Sequence, residues 1–337
     1  MKRRPSIAIY VLLPFAVGML VVCGSQWLGA QSSGQHVEFR RAGDKIDVII
    51  GGHDFTTYHF DPQIAKPFFH PIRSARGTII TRDFPNGNEI PPEHLKDPSL
   101  EPHQRSMYFS HGSVDGIDYW GEEVFSKWSD DSVFGRKVLQ KVEEMRAEGD
   151  SGVLRASFTL RSPRDRVIAE EDQAFVFRGD DRTRIIDCEF TLQANHGSAV
   201  TMGDTKEGTF AIRVAKELNS PPGHMVNSTG AEGEKQIWGK RADWVDYYGE
   251  LNGEPVGVAV LESPKSFRHP TYWHARAYGL LAANPFGIRE FTDHPQEDGS
   301  WTIPVGERLT FRYRVIIHQG DYKQAGIAEA YQRYAAQ

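Results

Sequence analysis

The sequence predicts an all-β protein: one large antiparallel β-sandwich with a short C-terminal helix. Three observations carry that expectation. Apolar and polar residues alternate with a period of two through most of the chain, as in half-buried strands. Clusters such as Glu148-Gly149-Asp150, Gly179-Asp180-Asp181 and Asn195-His196-Gly197-Ser198 separate the alternating runs and read as tight turns. Only the tail carries a clear helical stripe. Strands joined in sequence by short turns make an antiparallel meander, and a single all-β domain of about 300 residues must be a large sandwich or a closed multi-sheet assembly.

The chain has 337 residues, of which 25% are charged and 11% aromatic, a globular balance that excludes disorder, collagen and coiled coil. Lys2, Arg3 and Arg4 precede an apolar run from Ile7 to Val22, followed by a small and polar stretch ending at Ala30. This is the three-part pattern of a secretory signal. The run is 16 residues long and holds Pro14, so it is short for a membrane span. Residues 1–30 are therefore expected to be a cleaved leader and 31–337 a single exported domain, periplasmic or extracellular. An uncleaved N-terminal anchor, or lipid attachment at Cys23, is the alternative.

Cleavage after Ala30 removes three basic residues and no acidic one. The 39 Lys+Arg become 36 against 45 Asp+Glu, and the net charge moves from -6 to about −9. Such a surface repels phosphate backbones and argues against a nucleic-acid partner. Past residue 30 no apolar run approaches the roughly 18 residues that span a bilayer, which excludes a polytopic helical membrane protein. Only Cys188 remains, so no internal disulfide can form. It alternates with Ile186 and Phe190 and reads as a buried core thiol.

Taken in order, residues 83–104 form the longest irregular stretch, rich in Pro and Asn, and long loops of that kind are often functional. Extended through residues 103–111, the chain would point His103, Arg105 and His111 one way. His103 and His111 would then stand about 27 Å apart, too far for one metal unless the chain bends. Val138, Val142 and Met145 fit a helical stripe and a strand equally. Leu154-Ala156-Phe158-Leu160, Ile186-Cys188-Phe190-Leu192 and Leu309 through Ile317 each read as a strand with one buried face.

Gly203-Asp204-Thr205-Lys206-Glu207-Gly208 opens a strand whose apolar face is Phe210, Ile212 and Val214. Thr205, Glu207, Thr209 and Arg213 take the other face. A carboxylate near an arginine suits a general base or an acceptor of sugar hydroxyls; a solvated strand edge is the plainer reading. Alternation from Trp238 to Tyr248 would stack Trp238, Lys240, Trp244, Asp246 and Tyr248 on one face. Flat rings beside charged groups fit a polar ligand with apolar faces, such as a sugar, or else an aromatic core stripe with a snorkelling lysine. Tyr272, His274, Arg276 and Tyr278 share a face whose reverse is the nearly bare Ala275, Ala277 and Gly279, and Asn284 opens a loop at its rim. In the tail, Asp321 can cap a helix carrying Ile327, Tyr331 and Tyr334. Nucleophile-elbow, zincin, P-loop and dinucleotide motifs are absent, as are cysteine pairs for zinc.

Longer matches point to a family. Lys66-Pro67-Phe68-Phe69-His70-Pro71-Ile72, Gly77-Thr78 and Thr81-Arg82-Asp83 resemble the opening of the PmoA family, labelled methane oxygenase. Pro102 to Trp120, with His111-Gly112 and Gly116-Ile117-Asp118-Tyr119-Trp120, is similar to that family's most recognisable motif. Gly203 to Gly208, Trp238-Gly239-Lys240-Arg241, and Arg268-His269-Pro270 through Asn284-Pro285-Phe286 complete a match over nearly all of the chain past residue 30. The family's paired histidine is here His103-Gln104, which weighs against a role needing both imidazoles. The labelled activity does not follow, because the methane monooxygenase subunit of that name is built of several membrane helices and the chain past residue 30 has none. The long antiparallel pattern instead resembles the β-supersandwich of galactose mutarotases and related carbohydrate enzymes.

That resemblance implies a carbohydrate-active protein, either mutarotase- or epimerase-like or a lyase/hydrolase, binding a sugar on the concave face of a sheet. Glu207 would be the general base and His111 or His274 the acid. Trp238 and Trp244 would form a stacking platform, with Arg105, Lys240 and Arg276 holding hydroxyl or carboxylate groups. His103, Lys206, Asp246 and Asn284 would complete the polar lining. No cofactor is expected. A non-catalytic glycan-binding envelope protein is one alternative, and a metal-dependent oxygenase or hydrolase using His103, His111 or His274 is another.

Overall fold

A computed structural model describes residues 34–82, 101–122 and 134–337. The expected leader at 1–30, Cys23 and most of the long loop at 83–104 lie outside the described residues. The strands are, in chain order, β1 (Val37–Ala42), β2 (Lys45–Ile50), β3 (His53–His59), β4 (Phe68–Ile72), β5 (Met107–His111) and β6 (Arg136–Glu148). Then come β7 (Ser151–Arg161), β8 (Val167–Gly179), β9 (Arg184–Gln193), β10 (Val200–Met202), β11 (Gly208–Arg213) and β12 (His224–Asn227). The last six are β13 (Trp244–Leu251), β14 (Glu254–Glu262), β15 (Tyr272–Ala275), β16 (Leu280–Asn284), β17 (Trp301–Ile303) and β18 (Arg308–Gln319). Among the described residues, helix is confined to two single turns, α1 (Glu234–Ile237) and α2 (Ile288–Phe291), a 3-10 turn at Lys216–Leu218, and α3 (Ile327–Ala335).

Two eight-stranded sheets carry the architecture. The first has the order β1-β2-β3-β4-β5-β11-β16-β15 and the second β12-β13-β14-β18-β9-β8-β7-β6, while β10 and β17 form a small ribbon. Neighbouring strands within each sheet pair antiparallel. The inner faces pack on each other through a continuous core. Phe109 of the first sheet stacks on Phe190 of the second at 4.3 Å between ring centroids, and Phe210 on Tyr313 at 4.8 Å. Such ring pairs add about 0.5–1.5 kcal/mol each beyond the area they bury.

The alternation is realised where it is longest. Leu154, Ala156, Phe158 and Leu160 point inward from β7, and Ile186, Cys188, Phe190 and Leu192 from β9. Burial pushes the Cys188 thiol well up, as an inert core sulfur requires. The ambiguous run at 138–145 is strand β6, at the edge of the second sheet. The tail is helical from Ile327, whose stripe of Ile327, Tyr331 and Tyr334 packs on the outside of the second sheet. Asp321 caps the preceding turn, its Oδ1 accepting from the N–H groups of Lys323 and Gln324 at 2.9 and 2.8 Å. The residue before α3 is instead Gly326, in the left-handed region.

Candidate functional site on the outer face of the first sheet

The outer face of the first sheet is where charge and aromatic surface meet. Phe68, Tyr108, Ala211, Leu280 and Ala282 project outward from β4, β5, β11 and β16, opposite in parity to the core residues of the same strands. Beside this patch lie Lys66, Arg105 and Glu122, all at most 3% exposed. The Arg105 Nε donates to Glu122 Oε1 at 2.8 Å, and Lys66 Nζ lies 3.0 Å from the same oxygen. Lys66 also sits over the Tyr108 ring and Arg105 over the Phe68 ring, each at 5.0 Å. Burial alone would raise the Glu122 carboxyl; Arg105 and then Lys66 overcome it and hold it to about 2. Burial brings Lys66 down to about 8. This triad is a buried floor in which one carboxylate pairs with two cations.

At the β11 end the loop 205–207 is pinned from several sides. Glu290 on α2 accepts from the Lys206 N–H at 3.0 Å and from its Nζ at 2.8 Å. The Asn284 amide donates to the Thr205 carbonyl at 2.8 Å, and His274 Nδ1 donates to the Lys206 carbonyl at 3.0 Å. These bonds fix Glu207, whose side chain keeps one third of its surface exposed and lies 3.6 Å from Lys206 Nζ. Burial pushes its carboxyl up to about 7; Lys206 opposes the rise, while Glu290 and Glu101 add to it. Its charge in turn raises the phenols of Tyr108 and Tyr278, for which burial is the larger cause.

A third group completes the face. Arg213, on β11, donates to the Gln104 amide oxygen and lies 4.4 Å from the centroid of Tyr278. Arg276 approaches the same ring at 5.6 Å and pairs with Glu234 at 3.1 Å. The turn between β15 and β16 that carries Tyr278 depends on Gly279, whose φ of +94° and close approach to Val214 leave no space for a side chain. His103 lies beside Glu101 at 3.5 Å, and burial, with Lys66 the next contributor, lowers it to about 3.

The structure thus gathers Glu207, Lys206, His274, Asn284, His103, Arg105 and Arg276 on one face, but corrects the remaining expectations. His111 points the other way. The chain turns through residues 102–106 and becomes a strand only at Met107, so the parity assumed from 103 to 111 fails. Its ring packs on Phe286 at 4.9 Å, its Nε2 donates to the Gly203 carbonyl at 2.8 Å, and Gly208 leaves space for it: a Cβ there would fall 2.3 Å from its Nδ1. Trp238 and Trp244 do not form a platform, because Trp238 ends the helical turn α1 and Gly239, at φ +66°, redirects the chain before the strand beginning at Trp244. Trp238 packs edge-on against Phe291, which also meets Tyr272 and His274, so it stands at the rim of the site. Lys240 is exposed in the following turn. Trp244 and Asp246 belong to the second sheet, Trp244 beneath α3 and Asp246 buried against His318.

The histidine roles change as well. Burial lowers both His111 and His274 to about 4, so neither is an imidazolium at neutral pH. Among the described residues no three His, Cys, Asp or Glu side chains are grouped to hold a metal ion, and His111 is on the opposite side of the sheet from His103 and His274. Sequence reasoning passed over Lys66, Glu122, Tyr108 and Glu290. Lys66 and Glu122 are 56 residues apart, and no local pattern joins them.

Sheet order and site define the molecule as a two-sheet antiparallel sandwich with a polar, ring-lined cluster on the outside of one sheet. The sequence matches the family of unknown function DUF6807 over residues 45–332, and the chain belongs to that family. This corrects the resemblance to PmoA. No curated protein matches the sequence. Among solved structures, the chain is similar to the GH36 alpha-galactosidase AgaA of Geobacillus stearothermophilus in complex with 1-deoxygalactonojirimycin, with a TM-score of 0.39 and 10% identity over 84% of this chain and 41% of that one. It is similar to a galactose mutarotase-like protein from Clostridium acetobutylicum, with a TM-score of 0.37 and 9% identity over 85% and 99% of the two chains. Galactose 1-epimerase from Lactobacillus acidophilus gives a TM-score of 0.38 and 6% identity over 85% and 100%. The chain spans about two fifths of the alpha-galactosidase it matches. Likenesses at this level assign no activity to this chain.

Proposed function

We propose that this is an exported carbohydrate-active protein that binds a sugar on the outer face of β5, β11, β16 and β15 and exchanges a proton through Glu207. One observation carries the reading: a carboxyl held to about 7, partly open to solvent, beside a half-buried tyrosine ring flanked by two guanidinium groups. A group with that value is half ionised near neutrality and serves as base or acid with little driving force lost. The exposed part of Tyr278 offers apolar surface to a sugar ring, and the guanidinium groups offer donors to its hydroxyls. In this scheme Lys206 holds Glu207 in place, and His274, through the Lys206 carbonyl, positions that lysine.

The test is turnover on a panel of aldoses and oligosaccharides, followed by proton exchange and anomer interconversion in NMR spectra. Glu207→Gln is expected to lower the rate about 10²–10⁴-fold while leaving the thermal transition in place. The wild-type rate should titrate with a limb near the Glu207 value of about 7, and the variant should lack that limb. Undiminished turnover in Glu207→Gln removes the assignment. The loss of an imidazolium partner favours a second reading, glycan binding without turnover. It predicts that Glu207→Gln binds sugar like the wild type and that neither protein turns it over. For export, the protein recovered from envelope and culture fractions should begin at Gln31; a full-length chain retained in the cytoplasm overturns that part.

A further inference from the structure

Among the described residues, each buried lysine or arginine except Arg213 meets a carboxylate or two backbone carbonyls. Lys66 and Arg105 share Glu122, Lys137 is paired with Glu171, and Arg314 with Asp187. Arg184 and Arg82 cap backbone carbonyls. Arg213 is only 8% exposed, yet the one hydrogen bond of its guanidinium goes to the neutral Gln104 amide, and no carboxylate lies within ion-pair distance among the described residues. A charge held that far from water without a carboxylate partner is costly, and pairing with a bound anion would offset that cost. The group lies over the Tyr278 ring at 4.4 Å, on the same face as Glu207, whose own charge is felt at that ring. Arg276, which also approaches this ring, is already neutralised by Glu234.

Resting on the sugar reading above, we propose that the ligand of this face is a sugar acid of the hexuronate type, its carboxylate paired with the Arg213 guanidinium while its ring lies by Tyr278. A planar carboxylate meets a guanidinium fork through two parallel hydrogen bonds, a fit that no neutral hexose offers. The same pairing shields the ligand's anion from Glu207.

Titration calorimetry on the full chain tests this with D-galacturonate and D-glucuronate against D-galactose, D-glucose and acetate. The uronates are expected to bind about tenfold or more tightly than the neutral sugars and than acetate, with the preference shrinking as salt is raised. Arg213→Met should erase that preference and, by removing an unpaired buried charge, leave the ligand-free thermal midpoint at or above the wild-type value. If Arg213→Met does not fold, Arg213→Lys keeps the charge without the fork and should show a reduced preference. Equal binding of neutral and acidic sugars overturns this inference and leaves the proposed function standing. Acetate binding as tightly as the uronates overturns it as well, since a sugar is then not recognised. A preference that survives Arg213→Met does the same. If no sugar binds, the inference and the sugar reading fall together.

Discussion

Lys137→Met is expected to destabilise the protein by about 3–5 kcal/mol, because it leaves a carboxylate stranded between the sheets. Lys137 lies on β6 and is only 4% exposed; its ammonium reaches both oxygens of Glu171, at 2.9 and 2.6 Å, and the Phe109 carbonyl of the opposite sheet at 2.7 Å. Glu171 is fully buried, and its other partner is the Gln173 amide, which in turn accepts from Tyr58 at 2.7 Å. Burial lowers the Lys137 ammonium, and Glu171 opposes that shift. Removing the cation deletes the group that offsets the Glu171 charge and one bond between the sheets. The double variant Lys137→Met/Glu171→Leu removes both charges and should recover most of the loss, since a buried ion pair replaced by apolar side chains is often neutral. Urea unfolding of the wild type, the single variant and the double variant measures all three. A single variant within about 1 kcal/mol of wild type would show that Glu171 is not held ionised inside the sandwich.

Much of the fold is legible because a strand in a sandwich repeats one environment every second residue. β7, β9 and β18 are long and uninterrupted, so their apolar parity survives from end to end. The reading fails where a turn resets the parity. His103 and Arg105 precede the start of β5, so counting from them sends His111 to the wrong side. Trp238 and Trp244 look like one stripe, yet a single helical turn and a left-handed glycine stand before the strand. The 138–145 run is ambiguous for a different reason. An edge strand exposed on much of its length needs no strict pattern, and its one inward charge, Lys137, is answered by a residue 34 positions away.

The site divides the same way. Glu207, His274, Arg276 and Asn284 stand out locally, because glycines and small residues frame them and leave the charged side little to pack against. Lys66 and Glu122 are brought together only by the sheet order β4-β5-β11 and by the aromatic floor they share. Asp246 shows the opposite error. An acidic residue beside two tryptophans suits a sugar site, but β13 lies in the other sheet and turns that carboxylate under the C-terminal segment. The chemistry of a residue type is local, whereas the face it serves is decided by topology.

For that misplaced aspartate the structure sets a second large effect. His318→Leu should also cost about 3–5 kcal/mol, since Asp246 Oδ2 lies 3.0 Å from His318 Nε2 and both side chains are essentially fully buried. Gly257 makes the approach feasible, as a Cβ there would come 2.4 Å from His318 Cε1. Burial raises the Asp246 carboxyl, and His318 opposes the rise. Burial would lower His318, but the charge and hydrogen bond of Asp246 outweigh it and leave the imidazole above its ordinary 6.5. The signs agree. The His318 contribution is complete below its unfolded value and is lost as pH rises through the folded one, while the raised carboxyl favours the folded state at low pH and ceases to do so as it ionises. The stability contributed by the pair should therefore fall as pH rises above 6.5, measured as the urea midpoint of the wild type minus that of Asp246→Leu/His318→Leu from pH 5 to 9. The same double variant should recover most of the stability lost in His318→Leu. A difference that grows with pH through this range would mean that His318 is neutral in the fold and that Asp246 carries no counter-charge.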